Sequence, residues 1–236
     1  MSDDPAQERE QQQQQLEADL VAARIRELHE SPILGNFDIA HLKAVHAHIF
    51  QDFPEHRPGV IRANTKRWVI NRTLEGERSI YYVPYVDTNI GKCVDKILTN
   101  FGGRAPLKGL TLDAAASRIA ALYGDLDHVH GFYEGNSRTL REFTRELALA
   151  AGFTLDWIGT GIGAKERNDL YRARDIAVID RPYPNLTSER AMTTNDGAEY
   201  EISFVLDRLR QALDGKSLAT VIRAALTVTP AHPPPV

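Results

Sequence analysis

Cysteine is nearly absent: Cys93 stands alone among 236 residues. One thiol makes neither an intrachain disulfide nor a cysteine-rich metal site, and it fits a reducing compartment. Long apolar runs are missing too. None approaches the roughly 20 residues needed to cross a bilayer. Residues 1–30, acidic and rich in glutamine, lack the apolar stretch of a secretory signal. There is no excess of positive charge either. Against 32 Asp+Glu the chain sets 28 Lys+Arg, a formal net charge of −4, whereas a protein that coats nucleic acid carries a basic field. These absences predict a soluble, cytoplasmic protein with no membrane span and no direct nucleic-acid partner. What is present is enough hydrophobic material, 42% of residues, to bury the core of one main domain.

Along the chain the dominant signal is helical. Residues 1–30 are polar, with Leu16, Leu20, Ala23 and Leu28 loosely on one face, and read as a frayed surface helix or tail. Ile39, Leu42, Val45 (or His46) and Ile49 recur at helical spacing behind Phe37-Asp38. Between Pro54 and Pro84 the texture changes. Short β-branched and aromatic runs, Arg67-Trp68-Val69-Ile70 and Ser79-Ile80-Tyr81-Tyr82-Val83, flank Glu75-Gly76-Glu77 and predict a small hairpin. If the hairpin is only structural, Ile80, Tyr82 and Pro84 are the residues expected to roof the core, and such a role is compatible with others. Helical spacing returns at Ile90, Val94, Ile97 and Leu98, and again from about Thr111 through Leu112, Ala115, Ile119 and Leu122. Residues 128–135 form a break. A helix from about Ser137 then turns Leu140, Phe143, Leu147 and Ala150 inward and stops at Gly152. Helices are also predicted over residues 164–179, 200–213 and 218–226. The expected fold class is all-α with one small β excursion.

One stretch carries chemistry: His130-Gly131-Phe132-Tyr133-Glu134-Gly135-Asn136-Ser137-Arg138-Thr139-Leu140-Arg141. A Gly-Asn-Ser turn leads straight into a helix, whose unpaired N–H groups make an anion site. Arg138 and Arg141 share a face in the first turns, where the helix dipole prefers carboxylates. They make better sense with an anion opposite. Glu134 is a hard oxygen ligand suited to Mg²⁺ held jointly with phosphate. His130 is suited to take a proton from a hydroxyl near neutral pH. Each feature alone has a commonplace structural explanation. Their order within twelve residues is harder to dismiss.

The stretch resembles the active-site signature of the Fic family, His-Pro-Phe-x-(Asp/Glu)-Gly-Asn-Gly-Arg-x-x-Arg. His130, Phe132, Glu134, Gly135, Asn136, Arg138 and Arg141 fall on matching positions, while Gly131 replaces the proline and Ser137 the second glycine. Residues 37–50 resemble the first core helix of that family, and Arg57-Pro58-Gly59-Val60-Ile61-Arg62 a weakened form of its aromatic-Ala-Gly-x-x-Arg turn. The resemblance implies a Fic fold with a β-hairpin flap. It covers roughly residues 31–179, and with the composition of the outer segments the expected division is a polar helical extension (1–30), a catalytic core (31–190), C-terminal helices (191–229) and a disordered proline-rich tail (230–236). It also implies roles. His130 is the general base on a Ser, Thr or Tyr hydroxyl of a target protein. Glu134 holds the Mg²⁺ of ATP. Gly135, Asn136 and Ser137 form the anion nest, with the Asn136 amide taking part, and Arg138 and Arg141 hold the β- and γ-phosphates. Phe132 anchors the loop. Ser79, Ile80, Tyr81, Tyr82 and Val83 form the flap on which an extended target segment docks by strand addition.

The implied activity is protein adenylyltransfer, with AMP passing to the target and pyrophosphate leaving. Retention of Gly135 favours it over phosphate transfer; transfer of another nucleotide and a degenerate binding module are the alternatives. The family's inhibitory pattern, Ser/Thr-x-x-x-Glu-Gly/Asn, is absent. Its nearest approach, Thr73-Leu74-Glu75-Gly76-Glu77-Arg78, is broken by Arg78. The resemblance therefore implies a bacterial toxin held by a separate small antitoxin, with a topoisomerase subunit as a possible target.

Overall fold

Capping residues set where the helices begin and end. The computed structural model describes residues 5–66, 68–74, 76, 80–160, 163–194 and 196–230. Helix α1 spans Pro5–Glu30 and α2 spans Ile39–Ile49, the latter opened by the Asp38 carboxylate accepting the His41 N–H. Strands β1 (Trp68–Thr73) and β2 (Ile80–Tyr85) pair antiparallel, Trp68 opposite Tyr85 and Thr73 opposite Ile80. Helix α3 (Ile90–Phe101) closes on Gly102 at φ +79°, a left-handed stop that glycine adopts without strain. Thr111 caps α4 (Leu112–Val129), and α5 covers Asn136–Ala150. Then come β3 (Phe153–Leu155), α6 (Ala164–Ile179), α7 (Ser188–Thr194) and α8 (Gly197–Leu213), the last capped by Asp196. A capping box of Ser217 and Thr220 starts α9 (Leu218–Ala225), which runs into β4 (Leu226–Val228).

Helix α4 is the centre of the molecule, in contact with α3, α5, α6, α9 and β2. Its Ile119, Leu122, Tyr123 and Leu126 are buried with Val45 and Ile49 of α2, Phe143 and Leu147 of α5 and Ile222 of α9. A second apolar cluster joins Tyr81, Val83 and Tyr85 of β2 to Val178 and Ile179 of α6 and to Leu206 and Leu209 of α8. The chain is thus all-α apart from two small two-stranded sheets.

Four sequence expectations are corrected. Residues 9–30 are no loose tail: Val21 and Leu28 lie in the main core, and the Leu28 carbonyl accepts from Arg145 of α5. Helix α4 runs on to Val129, so the break starts at His130. The last helix ends at Ala225, and Leu226 instead pairs with Leu155 in the unexpected sheet β3–β4. The hairpin presents the opposite face from the one expected. Tyr81, Val83 and Tyr85 point inward while Tyr82 is 63% exposed. In a strand a one-residue offset exchanges the faces completely. Ser79, Glu75, Glu77 and the tail residues 231–236 lie outside the described residues.

Replacing the fully buried Leu28 with alanine is expected to lower unfolding free energy by about 2–5 kcal/mol. Chemical denaturation measures this; an unchanged midpoint would mean that α1 packs only loosely on the body.

Candidate active site

The break between α4 and α5 is a loop with every turn held. His130 takes the left-handed conformation (φ +50°) at the C-cap of α4, its N–H reaching the Leu126 and Asp127 carbonyls. Helix ends leave carbonyls without partners, and here the buried Arg62 supplies donors. Its guanidinium donates to the carbonyls of Val86, Val129 and His130, and its own N–H donates to Gly131. Further on, Asn136 bridges back: its Oδ1 accepts the Phe132 N–H and its Nδ2 donates to the Phe132 carbonyl, each at 2.8 Å. The Phe132 ring, buried, stacks on His46 at 3.9 Å. His46 accepts the Gly59 N–H at Nδ1 and donates from Nε2 to the Glu134 carbonyl. Those two partners require the neutral tautomer, and burial pushes its pKa down to about 4.

Gly135 opens α5 at φ +74°, and a β-carbon there would fall 2.1 Å from the Phe50 ring. No side chain caps α5, so its first N–H groups remain an anion nest. Three arginines follow on one face, Arg138, Arg141 and Arg145. With Ile25 and His29 of α1 and with Trp157 they line a cavity of about 200 Å³. Arg138 lies over the Phe50 ring and donates to Glu17 of α1 at 2.9 Å and to Glu134 at 3.4 Å. The Arg141 Nε is buried with no hydrogen-bond partner among the described residues. A larger cavity of about 630 Å³, lined by Thr154, Asp156, Asp169, Lys216 and Thr220 among others, includes none of the motif residues.

The His130 imidazole lies under the Tyr85 ring, 4.3 Å between centroids. Burial is the main cause that pushes its pKa down to about 4; Arg174, Arg62 and Arg72 add to the effect and Asp127 opposes it. At neutral pH the ring is therefore an uncharged proton acceptor. The Glu134 carboxylate is exposed and accepts the Gly135 N–H. No three His, Cys, Asp or Glu side chains converge for a metal among the described residues. Glu134 is thus a single anchor, which fits an ion such as Mg²⁺ that takes its other ligands from phosphate and water.

The loop thus brings His130, Glu134, Gly135, Asn136, Ser137, Arg138 and Arg141 together. The Asn136 amide exchanges two hydrogen bonds with the Phe132 backbone, one accepted and one donated, and so braces the loop beside the nest. In the flap, Tyr81 and Val83 are buried, Tyr82 is exposed and Ser79 is outside the described residues. Sequence reasoning missed His46, visible only as an alternative to Val45 on a helix face. It missed Arg62, Asp127 and Arg174 altogether as parts of the site.

A helical core with an uncapped glycine turn, a buried neutral histidine and an arginine-lined helix start is the architecture of a Fic domain. The chain matches the Fic/DOC family over residues 36–148. Among its relatives is Protein adenylyltransferase VbhT of Bartonella schoenbuchensis, 27% identical over 194 residues, which cover 82% of this chain and 36% of that protein. The probable protein adenylyltransferase y4lH of Sinorhizobium fredii is 30% identical over 123 residues, 52% of this chain and 58% of that protein. This chain therefore spans only part of the length of each. In fold it is similar to the BepC protein of Bartonella tribocorum with bound AMPPNP, with TM-score 0.63 and 19% identity over 97% of this chain and 90% of that one. A Fic domain from Bartonella quintana with bound ADP gives TM-score 0.57 and 20% identity over 93% and 86%.

Gly135→Ala is expected to cost at least about 1–3 kcal/mol, the strain of a left-handed non-glycine residue, before its clash with Phe50 is relieved. A denaturant titration that leaves the midpoint unmoved would show that the loop repacks freely.

Proposed function

We propose that the chain is a protein adenylyltransferase that moves AMP from ATP to a hydroxyl of a target protein. The observation that carries this reading is the neutral, buried His130 beside an uncapped helix start whose Arg141 Nε has no partner among the described residues. The names of the relatives and the nucleotides bound to similar folds support it. His130 takes the proton of the target hydroxyl as its oxygen forms a bond to the α-phosphorus. The bond from that phosphorus to the bridging oxygen breaks, and pyrophosphate leaves. The nest of Gly135, Asn136 and Ser137, once the Gly135 N–H leaves Glu134, and the cations Arg138 and Arg141 hold the phosphates and offset their charge. When bound at Glu134, Mg²⁺ would supply further charge neutralisation on the phosphates.

Docking of an extended target segment on the hairpin, beside Tyr82, belongs to the same reading. So do a separate small antitoxin, a toxin role in a bacterium and the cytoplasm as compartment. The antitoxin is supported by the missing inhibitory pattern and by the cavity between α1 and α5. Phosphate transfer is less favoured, because the Ser137 hydroxyl is held by Arg174 at 2.8 Å.

Incubation with labelled ATP, Mg²⁺ and a bacterial lysate should add the mass of AMP to a protein, and His130→Ala should abolish it. A gain of phosphate alone, or label that survives the mutation, would overturn the reading. The pH dependence follows from the depressed His130: kcat/KM should stay level as pH falls from 8 and drop only as the imidazole protonates near about 4. An acid limb centred near 6.5 would identify an ordinary exposed histidine. Glu17 is held ionised, since Arg138 and His56 outweigh its burial, and it occupies the guanidinium the phosphates need. Glu17→Gln should therefore tighten AMPPNP binding, by about 3- to 10-fold if the pair contributes about 1 kcal/mol. Calorimetry reads this directly, and weaker binding would show that α1 instead helps to order Arg138.

A further inference from the structure

Two consecutive residues of α6 are buried charges that reach different parts of the site. Arg174 forks onto Asp127 of α4, Nε to Oδ2 and Nη2 to Oδ1, both at 3.0 Å. Its remaining arm, Nη1, donates to the Ser137 hydroxyl at 2.8 Å. Asp127 is in turn the carboxylate beside the catalytic histidine: its Oδ1 lies 3.9 Å from His130 Nδ1, a nitrogen that is buried without a hydrogen-bond partner among the described residues. The next residue, Asp175, reaches the hairpin. It accepts from Arg72 of β1 at 2.8 and 2.9 Å and from the Tyr81 hydroxyl of β2 at 2.7 Å. Arg174, Asp175 and Asp127 are all buried.

Buried ion pairs are a poor source of stability, because desolvation consumes most of what attraction returns. Two in succession, ending on the anion nest and on the hairpin, make sense as geometry. Residues on one helix turn cannot move independently, so the nest and the hairpin share one rigid reference. We propose that Arg174 and Asp175 are positioning residues of the transferase. Arg174 sets the catalytic loop through Asp127 and Ser137, Asp175 sets the docking hairpin through Arg72 and Tyr81, and α6 thereby fixes the distance between a docked target and His130. The proposal rests on the adenylyltransferase reading. It also explains why serine stands where a glycine would give more room: its hydroxyl is the loop's attachment to α6. Asp127 has a second task. When His130 takes a proton, Nδ1–H needs a negative neighbour, and Arg174 holds that carboxylate in place while withholding part of its charge. The charged or titratable groups facing His130 are Asp127 from α4, Arg174 from α6, Arg62, Arg72 from β1 and Tyr85 from β2.

The test uses the whole chain with three variants, each checked for folding by thermal denaturation. Ser137→Ala should weaken AMPPNP about 3- to 10-fold, the net worth of one ordinary hydrogen bond, with the His130 NMR titration unmoved. Arg174→Lys cannot fork, so it should weaken AMPPNP at least as much and move the His130 titration up by about one pH unit as Asp127 turns to the imidazolium. Asp175→Asn should speed amide exchange in the hairpin about 10-fold and cut label transfer into the lysate, with AMPPNP affinity within about twofold. A folded Arg174→Lys with the wild-type titration and affinity would overturn the proposal, as would unchanged hairpin exchange in Asp175→Asn. Should Arg174→Lys not fold, Ser137→Ala with wild-type affinity overturns it. Failure of the wild type to label any protein would sink the functional reading instead, and the His130 titration and hairpin exchange would still judge the positioning roles.

Discussion

The end of α4 is the point on which the rest depends. A helix that stops in the core leaves carbonyls that must find donors, and α4 stops beneath the reaction loop. Arg62 meets that need with a buried guanidinium shared among Val86, Val129 and His130. A lysine there would bring a point charge in place of a planar fork and could not span three carbonyls in the same way. With the carbonyls fixed, His130 is held in its left-handed turn, and the chain arrives at Phe132 in position for the Asn136 bridge. The restart of α5 at Gly135 follows from that bridge.

The same logic governs charge. His130 is kept neutral by burial among Arg62, Arg72 and Arg174, although Asp127 pulls the other way. A base that must work near pH 7 gains from being unprotonated beforehand, although a strongly depressed pKa also weakens it as a proton acceptor. In the proposed reaction Asp127 is the compensating element, since it becomes valuable only when the proton arrives. The cations around His130 would oppose proton uptake, yet they are what the proposed anionic substrate requires, and one site would have to meet both demands.

The twelve-residue motif was legible because its chemistry is local: nest, base, carboxylate and arginines follow one another within a loop and a helix turn. Helices α2, α3, α5 and α6 were legible from apolar spacing and capping residues. What escaped was everything decided across the fold. Arg174 and Asp175 look like ordinary surface charges in sequence, and only the packing of α6 on α4 and on the hairpin buries them, while Arg62 shows in sequence only as the end of a weakened turn motif. The hairpin faces were misread because both Tyr81 and Tyr82 suit either side of a strand. The choice fell to the Asp175 carboxylate, which gives the Tyr81 hydroxyl an acceptor. The packing of α1 escaped because Val21 and Leu28 are diluted by glutamine and charge.

Only two tryptophans occur in the chain, and both sit at the working parts. Trp157 donates its indole N–H to the Arg141 carbonyl at 2.9 Å and lines the arginine cavity. Trp68, at the start of β1, lies under the Arg62 guanidinium, 4.6 Å from ring centroid to carbon. The molecule therefore carries an optical probe at each of two sites, one beside the cavity and one at the base of the hairpin. Indole emission responds to nearby charge and to exclusion of water. Removing either ring in turn would let unlabelled protein report separately on what enters the cavity and on what settles against the hairpin.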